Sequence, residues 1–258
     1  YLNDTFNIYA ENLLAKFPDK LTKVFFVNSG SAASDLAIRL AMTHTQKQGI
    51  VVMEHGYHGN TRLGIDISHY KYNRKGGAGK SAPIIEAEIP DTYKGRFQNN
   101  DGTAGLEYAS STIEKIKENG LPIGTFIAEP IVGCGGQIPL AKGYLNEVYP
   151  FIRQQGGVCI SDEVQTGFGR LGRYFWGFEI YDIVPDIVVM GKPMGNGHPL
   201  AAVVCRPELL KGFQDKSMYF NTFGGNPVSC AVGMAVLDVL EQENLLENAR
   251  QVGEYMAD

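Results

Sequence analysis

Residues 24–41 read V-F-F-V-N-S-G-S-A-A-S-D-L-A-I-R-L-A. A short apolar run ends in a glycine turn, and Leu36, Leu40 and Ala41 then fall on helical spacing, so the stretch reads as a buried strand feeding a helix. The unit recurs along the chain. Short apolar runs stand at 50–53, 125–128, 158–160, 187–190 and 201–204, several of them rich in β-branched residues, and helical patterns fill 31–45, 106–117 and 144–155. Repeated units of this kind predict an α/β fold with a mostly parallel sheet flanked by helices. In such sheets ligands bind outside the carboxyl ends of the strands, so the residues just past each apolar run are the ones to read for chemistry.

Around this frame, Phe6, Tyr9, Leu13, Leu14 and Phe17 predict a helical lead-in within residues 1–20, closed by Pro18. Residues 70–105 hold Gly76, Gly77, Gly79 and many polar side chains, which reads as a long excursion with a short strand near Ile84. Helix is expected again over 226–240, and a second short helix from 243 towards 256.

Composition removes several classes of function. The 258 residues are 44% hydrophobic and 20% charged, an ordinary globular balance. With 23 Lys+Arg against 28 Asp+Glu the net charge is -5, and no long basic run exists, which excludes a nucleic-acid partner. No run approaches the ~18 to 20 apolar residues of a membrane span, and no signal-peptide pattern opens the chain, so no membrane association and a cytoplasmic location are expected. Cys134, Cys159, Cys205 and Cys230 lie far apart and read as buried thiols, not as a zinc site or a disulfide framework. The chain opens at Tyr1 without Met and is expected to be a piece of a longer parent.

Three motifs are set aside. Residues 74–81, R-K-G-G-A-G-K-S, end like a P-loop but place Arg74 where the first glycine belongs. Gly167, Gly169 and Gly172 satisfy G-x-G-x-x-G, yet Tyr174, Phe175, Trp176 and Gly177 follow where a pyrophosphate-binding helix should start. His55 and His58 have H-x-x-H spacing without further metal ligands nearby, so no metal is expected.

Three other sites carry chemistry. At Asn28–Ser31 a strand, a glycine turn and a helix start leave backbone N–H groups free to meet a phosphate, although a plain N-capped helix would read the same way. The strand over 158–160 ends in Asp162 and Glu163, adjacent carboxylates that are costly to bury unless a cation meets them. A protonated ring nitrogen would serve; so would Arg170 or Arg173, or plain exposure to water. Lys192 follows the apolar run 187–190 among glycines on the crevice side, where a desolvated lysine can form a Schiff base; a solvated surface charge is the alternative. Pyridoxal phosphate needs all three: an anion cradle, a carboxylate for its pyridine nitrogen, and a lysine for its aldehyde. Tyr57 could stack on such a ring, and Gln165 could hydrogen-bond its hydroxyl.

Six ordered motifs then give a resemblance: N-S-G-S at 28–31, Y-H-G at 57–59, A-E-P-I at 128–131, S-D-E-V-Q-T-G-F-G-R at 161–170, M-G-K-P-M-G-N-G-H-P at 190–199 and N-T-F-G-G-N-P at 221–227. The chain resembles the class III pyridoxal-phosphate aminotransferases. The resemblance implies the fold type I large domain over residues 1–258, with the small C-terminal domain absent. It implies pyridoxal 5'-phosphate held by Gly30, Ser31, Tyr57, Asp162, Gln165 and Lys192, with Lys192 and Asp162 catalytic and Glu129 lining the substrate side. Thr222 would reach the phosphate of a neighbouring subunit in a homodimer with shared sites. Transamination of an amine through a lysine Schiff base is the implied reaction. D-I-S-H-Y-K-Y at 66–72, I-P-D-T-Y-K-G at 89–95 and residues 219–233 resemble the phosphoethanolamine and phosphohydroxylysine phospho-lyase branch, so phosphate elimination is the second reaction. A dimerisation module without turnover is the non-enzymatic alternative. Ala32 and Ser34 depart from the S-G-S-E-A-N-D of the family; losing an acid from a helix N-terminus weakens it by roughly 0.3 to 1 kcal/mol.

Overall fold

The computed structural model describes residues 3–99, 101–216 and 219–257. Nine strands are formed among the described residues: β1 Lys23–Val27, β2 Gly49–Met53, β3 Ile84–Ala87, β4 Ile123–Ala128, β5 Ile131–Val132, β6 Ile138–Pro139, β7 Val158–Asp162, β8 Ile187–Met190 and β9 Ala201–Cys205. Seven of them make one sheet in the order β1-β9-β8-β7-β4-β2-β3, and β5 pairs with β6 as a separate two-stranded ribbon. The helices are α1 Asp4–Leu14, α2 Gly30–Thr45, α3 Arg62–Asp66, α4 His69–Tyr72, α5 Thr103–Asn119, α6 Tyr144–Gln154, α7 Phe213–Lys216, α8 Pro227–Gln242 and α9 Leu245–Ala257.

The apolar runs are continuous because both faces of the sheet are covered. Along β2, Ile50 and Val52 face a core built with α2, whereas Val51 and Met53 face a second core built with α5 and α6. β8 alternates likewise, with Ile187 and Val189 on the α2 side and Val188 and Met190 in a third cluster with α1 and α8. The lead-in helix is held there by close approach. A Cβ on Gly233 of α8 would lie 2.3 Å from Tyr9 Cζ of α1, so only glycine lets the two helices meet.

The pairs β2–β3, β2–β4, β4–β7 and β7–β8 are parallel, as expected. β9 is not. It runs antiparallel to both β8 and β1. The chain between β8 and β9 contains only a 3-10 turn over Lys192–Met194, and without a crossover helix it must fold straight back. This reversal positions the site. Val27 and Met190 come level across Ala201 and Ala202, so the end of β1 lies beside the end of β8. Gly191 then packs on Gly30, a Cβ on Gly191 falling 3.4 Å from Gly30 N.

Cysteine burial was expected throughout, and one residue departs from it. Cys159, Cys205 and Cys230 are buried free thiols, but Cys134 is exposed, because it sits in the turn between β5 and β6. The glycines of the G-x-G-x-x-G match serve packing: a Cβ on Gly169 would meet Leu246 at 2.3 Å, and one on Gly172 would meet the Arg250 backbone at 2.7 Å. The P-loop-like residues 74–80 are exposed turn and coil after α4.

Candidate active site

A single cleft at the carboxyl ends of the strands is lined by Gly30, Ser31, Tyr57, Glu129, Asp162, Gln165 and Lys192. Seven of the eight residues singled out from the sequence therefore meet. The eighth, Thr222, is exposed on the loop before α8 and does not line this cleft. Ser34, His58, Gly59 and Val164 complete the wall.

The anion side is the start of α2. Ser29 caps the helix, its Oγ accepting from Ala32 N at 3.1 Å, and no acidic residue stands in the first turn. Ser31 Oγ accepts from Asn60 N at 3.0 Å. Gly59, with φ +133°, lets that loop approach; a Cβ there would lie 2.9 Å from Ser31 Cα. One turn into the helix, Ser34 is 1% exposed, and its Oγ has no hydrogen-bond partner although it lines the cleft. A buried hydroxyl without a partner beside free helix N–H groups suits an anion, and the absence of Glu at position 32 removes a competing charge.

The two adjacent carboxylates behave differently. Asp162 is buried at the end of β7, where Oδ2 is 2.8 Å from His58 Nδ1 and Oδ1 accepts from Val164 N at 3.1 Å. Those two contacts leave acceptor capacity on the carboxylate, which opens onto the cleft. Glu163 points the other way. It accepts from Ser161 Oγ at 3.1 Å, Thr166 Oγ1 at 2.5 Å, Gly177 N at 2.8 Å and Phe178 N at 2.9 Å, and so caps the 3-10 turn over Gly177–Tyr181. Neither carboxylate takes Arg170 or Arg173 as its partner among the described residues, and neither is left to water. Burial pushes the Glu163 carboxyl above its ordinary range, opposed by these donors.

Glu129 follows β4. Its Oε1 accepts from Tyr57 N at 3.0 Å and its Oε2 from Gly133 N at 3.2 Å. Burial, and next the charge of Asp162, raise its carboxyl above the ordinary glutamate range. Gln165 rests on Gly133, where a Cβ would come 2.4 Å from Gln165 Nε2. Tyr57 is half-buried, with its ring edge-on to Tyr70 at 6.2 Å.

Lys192 opens the turn after β8 with φ +24°, a conformation uncomfortable for any residue with a Cβ. Such strain costs of order 1 to 3 kcal/mol and persists only where packing imposes it. Here Gly191 packed on Gly30, and buried Pro193 and Met194 behind, fix the backbone.

Sequence reasoning missed His58 and Ser34. The H-x-x-H spacing was read only for metal, and no group of three metal-ligating side chains exists among the described residues. His58 follows Tyr57 directly, so a loop that offers one side chain to the cleft offers the next to Asp162.

Residues 2–258 match the family model described as aminotransferase class-III. The chain belongs to the class III aminotransferase family. A relative from Drosophila melanogaster, named alanine--glyoxylate aminotransferase 2-like, is 45% identical over 264 residues, covering 99% of this chain and 53% of its own. Ethanolamine-phosphate phospho-lyase homolog 1 from Caenorhabditis elegans is 40% identical, over 96% of this chain and 56% of its own. Among solved structures, a phospholyase from Arthrobacter in complex with phosphoethanolamine superposes with a TM-score of 0.90 at 39% identity, covering 99% of this chain and 60% of that one. This chain thus spans about half the length of the curated relatives it matches.

Proposed function

We propose that residues 1–258 are the large domain of a pyridoxal-phosphate-dependent aminotransferase, the small domain of the family lying outside them. One observation carries the reading: Lys192, Asp162 and the N-terminus of α2, far apart in sequence, line one cleft. When bound, pyridoxal phosphate supplies an electron sink for negative charge on the carbon next to a substrate amine. The N–H groups at Gly30 and Ser31, with Ser34 Oγ, would hold its phosphate. Asp162, oriented by His58, would keep the ring nitrogen protonated. Tyr57 would cover the ring, Gln165 would meet its hydroxyl, and Glu129 would border the space left for the amine. Lys192 would hold the cofactor through its Nζ and would serve as the base that moves a proton at the substrate carbon, a role worth typically 10² to 10⁴ in rate. The strained Lys192 backbone supports this assignment, since strain collects at sites where geometry is imposed. Visible absorbance of the purified protein with pyridoxal phosphate tests the reading; a protein that stays colourless overturns it.

Phosphate elimination is the second reading, favoured by the resemblance to two phospho-lyases. Incubation with phosphoethanolamine and no keto acid separates the two: repeated release of phosphate and ammonia supports elimination, and keto-acid-dependent amine consumption supports transamination. The proposal includes a homodimer. Phe220, Phe223 and Val228 are 78%, 67% and 65% exposed around Thr222, an apolar run suited to a second copy. Sedimentation checks it. Free thiols fit a reducing compartment, and a cytoplasmic location, tested by fractionation, belongs to the same reading. No described helix is long and apolar enough to cross a membrane.

A further inference from the structure

The stretch 66–72 is laced to the loop that follows β2, and one of the laces is titratable. Glu54 N still donates across the sheet to Ala87 O at 2.9 Å, so His55 is the first residue of the loop whose N–H leaves the ladder. It donates to His69 Nδ1 at 2.9 Å. Beside it Ser68 Oγ accepts from His58 N at 2.8 Å, and Tyr70 N donates to Gly56 O at 3.1 Å. The loop so held supplies the cleft with Tyr57 and with His58, whose imidazole meets Asp162. His55 itself has φ +60°, in the left-handed region that a residue with a Cβ enters only at a cost, so its shape depends on what holds it.

His69 can hold the loop in one protonation state only. A ring nitrogen that accepts from a backbone N–H carries no proton, so the neutral ring keeps its proton on Nε2. That atom is 3.0 Å from the side-chain amide of Asn73, which offers its oxygen after a half-turn. Protonation of Nδ1 sets donor against donor. The ring is 8% exposed and lies edge-on to His55 at 5.3 Å and to Tyr72 at 5.5 Å, so water does not readily replace the lost acceptor. Burial keeps the imidazole below the ordinary histidine value of 6.5; of the charged groups that face it, Glu86 of β3 and Glu54 oppose this, and His55 and Lys115 of α5 add to it. A histidine held neutral in this way contributes stability that is present above pH 6.5 and is lost as pH falls from there through the lower folded value. We infer that His69 is a positioning residue that holds the Tyr57 loop in its cleft-lining shape only while its imidazole is neutral, so that acid loosens the cover over the cofactor. This deepens the proposed function and, where it concerns the cofactor, rests on it.

The test uses the complete protein that carries this chain, in two measurements from about pH 8 to about pH 5. Hydrogen exchange of the cofactor-free protein, corrected for intrinsic rates, reads the peptide that holds His55 to His58, and absorbance titration reads the dissociation constant of pyridoxal phosphate. In the wild type, protection of that peptide should fall as pH drops below 6.5, and the dissociation constant should rise roughly threefold to tenfold, the effect of one hydrogen bond. H69N keeps an acceptor near the place of Nδ1 but cannot titrate, so it should match the wild type at about pH 8 and lose the acid step. It retains His55 and His58, whose own titration cancels in the comparison. H69L should lose protection of the loop at every pH; should it fail to fold, H69N and the wild type still decide. An acid step in H69N equal to that of the wild type, or wild-type protection over 55–58 that acid leaves unchanged, overturns the inference. A protein that binds no pyridoxal phosphate at any pH, yet shows the acid step in exchange and loses it in H69N, fails at the underlying function and upholds the hold of His69 on the loop.

Discussion

Asp162 and Glu163 are neighbours with the same charge, and the fold separates their tasks so sharply that exchanging the damage between them is a strong test. In Asp162→Asn the amide oxygen can keep the bond from Val164 N, and the imidazole of His58 can turn acceptor towards the new NH₂. The loss should be about 1 kcal/mol, which in a domain of this size lowers Tm by roughly 2 to 4 °C. Glu163→Ala strands Gly177 N and Phe178 N as well as the hydroxyls of Ser161 and Thr166. The two hydroxyls can rotate, but each buried N–H left without an acceptor costs about 1 to 3 kcal/mol, for a total of roughly 2 to 6 kcal/mol. Thermal melts without added cofactor should therefore rank wild type, then Asp162→Asn, then Glu163→Ala. Turnover per folded, cofactor-loaded protein should rank differently. Asp162→Asn removes the charge proposed to face the ring nitrogen and should lose at least two orders of magnitude, while Glu163→Ala, measured below its melting point, should stay within a few-fold of wild type. The reasoning is refuted if Asp162→Asn turns over normally, or if Glu163→Ala melts like wild type.

Other consequences can be checked together. Lys192→Gly should melt at or above Lys192→Ala without cofactor, despite the ~0.5 to 1 kcal/mol entropic penalty of glycine, because φ +24° strains any side chain with a Cβ. Gly233→Ala drives a methyl into Tyr9 at 2.3 Å and should destabilise by about 1 to 3 kcal/mol, with α1 the first segment to lose protection in hydrogen exchange. Glu129 holds its proton more tightly folded than unfolded, so its contribution is fully present below the ordinary value of 4.5 and declines as pH rises from there through the higher folded value. Glu129→Gln should accordingly flatten the fall in Tm across that window; an unchanged slope would assign the pH dependence to other groups.

What could be read from the sequence follows from which forces are local. Period-2 alternation hidden inside continuous apolar runs, and helices between them, are legible because every position of β4, β7 and β8 is buried and most are apolar, β8 entirely so. The reversal of β9 was equally apolar and looked the same as a parallel strand; only the missing crossover helix after Met190 distinguishes it, and glycines at 191, 195 and 197 drew attention to ligand approach instead. The short helices α3 and α4 and the β5–β6 ribbon escaped notice because elements of two to five residues carry no period. At the site, glycines and charged residues after strands pointed to the cleft, since chemistry there needs unusual residues at strand ends. The partners of those residues did not announce themselves. His58 meets Asp162 across 104 positions, and the four donors to Glu163 include backbone groups that no side-chain pattern encodes.

The central claim, that Lys192 is the residue to which the cleft delivers pyridoxal phosphate, is tested most directly by a covalent trap. Protein incubated with pyridoxal phosphate, reduced with borohydride and digested should carry one stable pyridoxyl label, on the peptide containing Met190, Gly191 and Lys192. Lys192→Ala should carry none. A label on Lys71 or on any other lysine in the wild type, or equal labelling of the Lys192→Ala protein, would contradict the account.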